Sequence, residues 1–143
     1  MPLVIDASAI LPLALLDEDA TYSNAVLSRM AIDGVAYVPP IFWDELLNIL
    51  SLGVRGGRID LELAEAFVLR ASNDLPMQTI SPDSRLDILR LAYEYGLTSY
   101  DSAYLWLALK FDAEIATHDN KLIAAAHLAG VGRFESRASK ASA

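Results

Sequence analysis

The sequence contains no cysteine. Disulfide bonds, thiolate zinc sites and thiol nucleophiles are therefore excluded, and the absence fits a reducing compartment. Long apolar runs are also missing, because the run "AILPLALL" is broken by Pro12 and ends at Asp17. A membrane-spanning helix needs roughly 18 or more consecutive apolar residues. The start "MPLVID" has no basic region before its apolar run, so a secretory signal is not indicated. We expect a cytoplasmic protein with no membrane partner.

Basic residues are scarce. Lysine and arginine total 11 against 19 aspartates and glutamates, which gives a formal net charge of -8. A general nucleic-acid binder carries a broad basic surface, so any recognition of nucleic acid here must be local. The one basic bias is in "GRFESRASKASA", with Arg133, Arg137 and Lys140. We expect a domain over residues 1–135 and a flexible, solvated tail over 136–143.

Short apolar segments alternate with longer helical patterns, which predicts a single α/β domain with parallel strands joined by helical crossovers. Strands are predicted at 2–6, 36–39, 77–80, 114–117 and, more weakly, 132–134. Helical segments are predicted at 8–20 continuing to 33, 40–54, 61–73, 83–95, 100–111 and 120–129. The "GVRGGR" stretch at 53–58 is predicted to be a loop. Helix starts are predicted at Pro40, at Asp60, and at Ser81 or Asp83, and helix stops at Gly96 and Gly130.

Two aspartates follow predicted strands. Asp6 ends the first strand and Asp119 follows the fourth, and each directly precedes a helix. Either residue taken alone is explained as a helix cap. However, parallel sheets bind ligands beyond the carboxyl ends of their strands, so both aspartates are also candidates for a site.

Two further acids lie on helical patterns. In "FWDELLNILSLG" the helical period places Asp44 on the solvated face and Glu45 between apolar positions. Glutamate is rarely buried without a partner. Thr98 and Asp101 match a capping box, yet Asp101 also lies on one stripe with Tyr104, Leu105 and Ala108, and a buried unpaired carboxylate is unfavourable. A hard divalent cation, most naturally Mg²⁺, would reconcile several acids at one edge of the sheet.

These segments resemble the PIN-domain ribonucleases, and in particular the VapC-type toxins of toxin–antitoxin modules. The resemblance is carried by "VIDASAIL", "PPIFWDELLNIL", "LTSYDSAYLWLALK" and "IATHDNKL", and it covers nearly the whole chain. The family's four acids correspond to Asp6, Glu45, Asp101 and Asp119. Its accompanying polar positions correspond to Ser8, Asn48 and Thr117.

The resemblance implies a single-domain α/β/α sandwich with a central parallel sheet of about five strands. It also implies an endoribonuclease that uses Mg²⁺ or Mn²⁺, with the four acids binding the ion and activating water. Family members usually form homodimers and are inhibited by a small cognate, VapB-like antitoxin. The apolar segments "ILPLALL" and "AVLSRMAI" are expected to serve mainly in the core, with partner surface as the alternative.

Three other functions compete with this interpretation. A haloacid-dehalogenase-like phosphohydrolase needs a second aspartate two residues after the first, where this chain has Ser8. A receiver domain needs an early acidic pair, which is missing. A PIN-like binding module without activity is disfavoured because all four acids are present. His118, beside Asp119, is interpreted as a residue at the rim of the site, because a hard cation has little use for imidazole.

Overall fold

The computed structural model describes residues 1–136. Its centre is a four-stranded, fully parallel sheet with strand order β3-β2-β1-β4. The strands are β1 (Leu3–Ile5), β2 (Ala36–Val38), β3 (Met77–Thr79) and β4 (Glu114–Ala116). The helices are α1 (Thr21–Asp33), α2 (Ile41–Arg55), α3 (Leu61–Asn73), α4 (Arg85–Tyr95), α5 (Ser99–Phe111) and α6 (Asn120–Leu128). The predicted α/β class and helix-flanked parallel sheet are confirmed.

The predicted fifth strand is reduced to one residue pair. Arg133 forms an isolated parallel bridge with Ile115. The Ile115 amide donates to the Gly132 carbonyl at 3.0 Å, and the Phe134 amide donates to the Ile115 carbonyl at 2.9 Å. Both bonds involve the same residue of β4, so the pairing does not extend into a strand. The expectation of about five strands is corrected to four.

The segment 8–20 is not a regular helix. It contains two short 3-10 turns, Ala7–Ala9 and Leu11–Leu13, and proline in the second of them lacks the amide hydrogen that a continuing helix needs. The α1 helix begins only at Thr21, whose amide and hydroxyl donate to Asp19 Oδ1 at 2.9 and 2.7 Å. Leu11, Leu15, Val26 and Met30 are buried, so these segments serve mainly in the core, as expected.

The predicted loop at 53–58 is shorter than expected, because α2 continues to Arg55. Gly53 is buried inside this helix, and a Cβ there would lie 3.3 Å from Leu15 Cδ2 and 3.4 Å from Ile59 Cγ2. Glycine at this position therefore allows close packing and does not mark a turn. The chain reverses after it, at Gly57, whose φ is +75°.

Helix boundaries elsewhere follow the predicted signals with small shifts. Gly96 ends α4 in the left-handed conformation, and Gly130, with φ of +82°, follows the end of α6. The cap of α4 is Ser84, not Ser81 or Asp83, and its hydroxyl accepts from the Asp87 amide at 3.2 Å. Asp60 occupies the N-cap of α3 without a side-chain capping bond.

The core is formed where α5 packs against β1, β2 and β4. Tyr104, Leu105 and Leu107 on this helix are fully buried. Within residues 1–136, no helix combines the length and apolarity needed to cross a bilayer. Most of the predicted tail, residues 137–143, lies outside the described residues.

Candidate active site

Asp6 follows β1 directly and is 7% exposed. Its amide donates to the Ala116 carbonyl at 3.0 Å, so the backbone pairing of β1 with β4 continues to this residue. Its Oδ2 accepts two hydrogen bonds of 2.7 Å, from Ser8 Oγ and from Thr117 Oγ1. A buried carboxylate needs such donors, and here they hold it in one orientation at the carboxyl edge of the sheet.

Ser8 and Thr117 form the centre of a network that joins the ends of β1 and β4. Ser8 Oγ accepts from the His118 amide at 3.0 Å, and Thr117 Oγ1 accepts from the Asp119 amide at 2.9 Å. Thr117 is fully buried. The structure therefore brings Asp6, Ser8, Thr117 and Asp119 together.

Glu45 lies on α2 and is half-buried, whereas its neighbour Asp44 is exposed, as the helical period predicts. Burial, followed by the negative charges of Asp6, Asp101 and, more weakly, Asp119, raises the pKa of Glu45 to about 7. Contact with the Tyr104 hydroxyl acts in the opposite direction. Such interactions weaken with distance, so Glu45 lies near enough to the other three acids for their charges to act on it.

Asp101 lies in the first turn of α5. Its amide donates to the Thr98 hydroxyl at 3.0 Å, which confirms the predicted N-cap. Burial raises the pKa of the Asp101 carboxyl, and the charges of Asp119 and Asp6 add to this, while Thr98 and Lys121 oppose it. Asp101 therefore belongs to a cap and also lies within the influence of the other acids' charges.

Asp119 is the N-cap of α6. Its Oδ1 accepts from the amides of Lys121 at 3.0 Å and Leu122 at 3.3 Å. The capping interpretation is thus confirmed, but it uses only one carboxylate oxygen. Because the Asp119 charge also acts on Glu45 and Asp101, capping and membership of the acid cluster are compatible. We use the term acid cluster for Asp6, Glu45, Asp101 and Asp119.

Asn48 is placed differently from Ser8 and Thr117. It lies one helical turn from Glu45 but on the exposed face, and across residues 1–136 its side chain forms no hydrogen bond. The structure therefore does not bring Asn48 into contact with the acid cluster.

Sequence reasoning missed the part played by Arg133, which was noted only as one residue of the basic bias near the C-terminus. Arg133 Nε donates to the Thr117 carbonyl at 2.8 Å, and its guanidinium lies 4.1 Å from the centre of the Tyr22 ring. The His118 ring also lies beside Tyr22, 4.8 Å away between ring centres. Burial, followed by the Arg133 charge, lowers the pKa of His118. His118 lies at the rim, as expected, and it is packed there.

Tyr104 was recognised from the sequence only as an apolar position. It is fully buried, and within the described chain its hydroxyl has no hydrogen-bond partner. The charges of Asp6, Glu45 and Asp101 raise the pKa of this hydroxyl strongly, after burial itself. The only signal in the sequence was its position three residues after Asp101, which places both on one helix face.

The acid cluster suits a hard cation in its chemistry, since all of its donors are carboxylate oxygens. The raised pKa values of Glu45 and Asp101 reflect burial first and then the negative charges of the neighbouring acids. As the side chains stand, no three acidic or imidazole groups of residues 1–136 converge closely enough to hold one ion. Carboxylates close to one another repel, and a bound cation would reverse the local electrostatics.

The PIN domain family model matches residues 3–128, which is most of the chain. The chain belongs to the PIN domain family. PIN domains are generally nucleases, and they commonly use divalent metal ions. The matched region includes all four members of the acid cluster.

A solved structure shares the fold of this chain. The crystal structure of PAE2754 from Pyrobaculum aerophilum superimposes with a TM-score of 0.68 at 22% sequence identity, and the match covers 87% of this chain and 84% of that one. At this identity the likeness concerns the fold alone. No curated protein matches the sequence.

Proposed function

We propose that this PIN domain is a Mg²⁺-dependent endoribonuclease, also active with Mn²⁺, and the toxin of a toxin–antitoxin pair acting in the cytoplasm. The observation that carries the proposal is the acid cluster. Four acids from four separate parts of the chain influence one another electrostatically near the carboxyl edge of the sheet, in a family whose members are generally nucleases.

The mechanism assigns binding and orientation to the chain's own residues. Asp6, Glu45, Asp101 and Asp119 would hold the ion, with Asp6 fixed by Ser8 and Thr117. When bound, the ion lowers the pKa of a water and neutralises phosphate charge during phosphodiester cleavage. The surface is acidic overall, so the substrate phosphate would be bound locally at the cluster.

The partners proposed are RNA as substrate, a second copy of the chain, and a VapB-like antitoxin. Support for protein partners comes from apolar surface. The α4 helix has no buried residue and exposes Leu86, Leu89 and Tyr93. An apolar groove of about 560 Å³ lies between α2 and α3. Exposed apolar patches of this kind are typical of interaction sites.

The family match removes the haloacid dehalogenase and receiver alternatives. Ser8, where the dehalogenase would have its second aspartate, instead donates a hydrogen bond to Asp6. A PIN-like binding module without activity is the competing function. It predicts no cleavage of RNA with any divalent ion, and no stabilisation of the protein by the ion.

The direct test is incubation of purified protein with total RNA, with and without Mg²⁺. An Asp6→Asn protein purified in parallel controls for contaminating nuclease. We expect cleavage only by the unmodified chain and only with the ion. Equal cleavage by both preparations, or cleavage in EDTA, would contradict the proposal. A short upstream reading frame for a DNA-binding protein would support the antitoxin, and sedimentation would test the dimer.

Asp44→Asn is expected to change the cleavage rate less than about twofold. Asp44 is exposed on α2, pointing away from the cluster that its neighbour Glu45 faces, and exposed charges interact weakly in water. Initial rates of RNA cleavage for Asp44→Asn and Glu45→Gln, measured side by side, check this. A loss in Asp44→Asn as large as that in Glu45→Gln would contradict the assignment of Glu45.

A further inference from the structure

A cavity of about 440 Å³ lies beside the acid cluster. Two of its lining residues connect it to the acids. Ser8 donates a hydrogen bond to Asp6 Oδ2 at 2.7 Å. Ile49 lies one helical turn after Glu45 on α2, which places both residues on one face of that helix. A substrate whose phosphate is bound at the acid cluster can therefore place a neighbouring group in this cavity.

The floor of the cavity is apolar and belongs to the core. It is formed by Leu11, Pro12 and Leu15, all of which are buried. The exposed His118 ring also lines the cavity and packs on Tyr22, with 4.8 Å between ring centres. Apolar surfaces and histidine rings are the kind of surface on which unpaired RNA bases stack. The shape and lining of the cavity therefore suit a flat ring system.

Two carboxylates, those of Glu18 and Asp19, also line the cavity. Each uses one oxygen in the fold. Glu18 Oε2 accepts from Arg58 Nη2 at 2.8 Å, and Asp19 Oδ1 accepts from the amide and hydroxyl of Thr21 at 2.9 and 2.7 Å. Within residues 1–136, the second oxygen of each carboxylate forms no hydrogen bond. The cavity thus offers two oriented hydrogen-bond acceptors.

Among the four RNA bases, guanine has the edge that best matches two acceptors. Its Watson–Crick edge carries two neighbouring donors, the N1–H and the N2 amino group, and a carboxylate accepts hydrogen bonds without donating any. Uracil has one donor between two carbonyl oxygens, which ionised carboxylates repel. Cytosine and adenine each have one amino group beside a ring nitrogen that is itself an acceptor.

We propose that this cavity is a nucleobase subsite that selects guanine in a nucleotide next to the cleaved phosphodiester. Glu18 and Asp19 accept hydrogen bonds from the Watson–Crick edge, while the apolar floor and the His118 ring contact the faces of the base. Recognition through acceptors needs no basic surface, which agrees with the net charge of -8. Recognition of the base requires only the cavity, whereas its effect on cleavage rests on the proposed function.

The test of recognition is titration of the metal-free protein, in EDTA, with guanosine, adenosine, cytidine and uridine, followed by the backbone amide resonances of the protein. Nucleosides carry no phosphate, so the charge of the acid cluster does not oppose their binding. We expect guanosine to shift the resonances of Glu18, Asp19 and His118 and to bind at least about tenfold more tightly than uridine. Equal affinities for guanosine and uridine would overturn the inference.

Glu18→Gln and Asp19→Asn keep the oxygen that each side chain uses in the fold and replace the other oxygen by an amide donor. We expect each variant to lower the preference for guanosine over uridine about tenfold. Asp17→Asn is the matched control, because Asp17 also pairs with Arg58 but does not line the cavity. An equal loss of preference in Asp17→Asn would assign the effect to the Arg58 ion pair and contradict the subsite.

A cationic peptide side chain is the competing occupant, since carboxylates also bind guanidinium groups. Titration with N-acetylarginine amide under the same conditions distinguishes the two. We expect this probe to bind more weakly than guanosine, because the apolar floor and the His118 ring match a ring system. Tighter binding of the arginine probe would assign the cavity to a protein partner and overturn the inference.

Cleavage of oligoribonucleotides that differ in one base, with Mg²⁺ present, separates this inference from the proposed function. We expect kcat/KM to be about tenfold higher with guanine than with uracil beside the cleaved bond, and Glu18→Gln to remove most of that difference. If the unmodified chain cleaves no RNA, the proposed function fails, yet the nucleoside titrations still decide recognition. If the chain cleaves RNA without base preference and binds guanosine no better than uridine, only the inference fails.

Discussion

Asp6→Asn is expected to abolish RNA cleavage, with a loss of about a thousandfold or more, while the fold is retained. The substitution removes one negative charge from the acid cluster at its most buried member. A metal ion contributes several kcal/mol to stabilising a phosphodiester transition state, and each 1.4 kcal/mol corresponds to about a tenfold change in rate. Single-turnover cleavage of a labelled RNA at saturating Mg²⁺ measures the effect.

The fold survives because both hydrogen bonds to Asp6 converge on the same oxygen. Ser8 Oγ and Thr117 Oγ1 each donate to Oδ2 at 2.7 Å, and an asparagine can place its carbonyl oxygen there. The variant also removes one repulsive charge acting on Glu45. We therefore expect a metal-free Tm equal to or above that of the unmodified chain.

Asp44→Asn is the matched control for Asp6→Asn, since it makes the same chemical change at an exposed position. Circular dichroism should show native secondary structure in both variants. Full activity in Asp6→Asn would contradict the role of Asp6. Unfolding of that variant would instead show that the buried carboxylate is required for the fold.

The sequence was most informative where the helical repeat determines which side chains are exposed. Asp44 and Glu45 are adjacent, yet the helical repeat alone separated the exposed acid from the half-buried one. The placement of Asp6 and Asp119 also followed from a general rule, because the carboxyl ends of parallel strands meet at one edge. Their roles in the site stay predictions.

Contacts between distant segments could not be predicted. The bond from Thr117 to Asp6 joins residues 111 positions apart, and Arg133 donates to the Thr117 carbonyl from a segment that was predicted only as a weak strand. Gly53 was interpreted as a loop residue because only the folded packing of Leu15 and Ile59 shows why its side chain must be absent. These errors share one cause, since tertiary packing overrides local signals.

The unpartnered hydroxyl of Tyr104 is another feature that the sequence could not predict, because it depends on tertiary packing. The apolar stripe on α5 predicted burial of the ring, which is confirmed. However, the direction of one hydroxyl depends on which acids of other elements lie opposite it. The sequence does not specify that arrangement. It therefore predicted that Tyr104 lies in the core, but not that its hydroxyl lies beside Glu45.

Glu45→Gln is expected to remove most of the loss of stability that the metal-free protein shows between pH 5.5 and pH 8.5. The pKa of Glu45 is about 7 in the folded chain, above its ordinary value of 4.5. The folded state therefore binds this proton more tightly than the unfolded state, and stability falls as the pH rises from about 4.5 to about 7. Because the side chain is half-exposed, we expect a loss of about 1–2 kcal/mol, or about 3–8 °C in Tm.

The measurement is thermal unfolding of both proteins across this pH range in EDTA and again with Mg²⁺. Glutamine has no charge to develop, so the Glu45→Gln curve should be nearly flat and lie above that of the unmodified chain at pH 8.5. Mg²⁺ should raise the Tm of the unmodified chain most at pH 8.5, where the ion neutralises the ionised cluster. Mg²⁺ should raise the Tm of Glu45→Gln by a smaller amount, because that variant lacks one carboxylate of the acid cluster.

Asp44→Asn again provides the control, because it removes a carboxylate from the next position of the same helix, on the exposed face. Its pH dependence should match that of the unmodified chain. If the Tm of Glu45→Gln falls with pH as steeply as that of the unmodified chain, the raised pKa of Glu45 is not the cause of the loss of stability at high pH. If Asp44→Asn flattens the curve equally, the effect arises from the net charge of α2, and the acid cluster is not its origin.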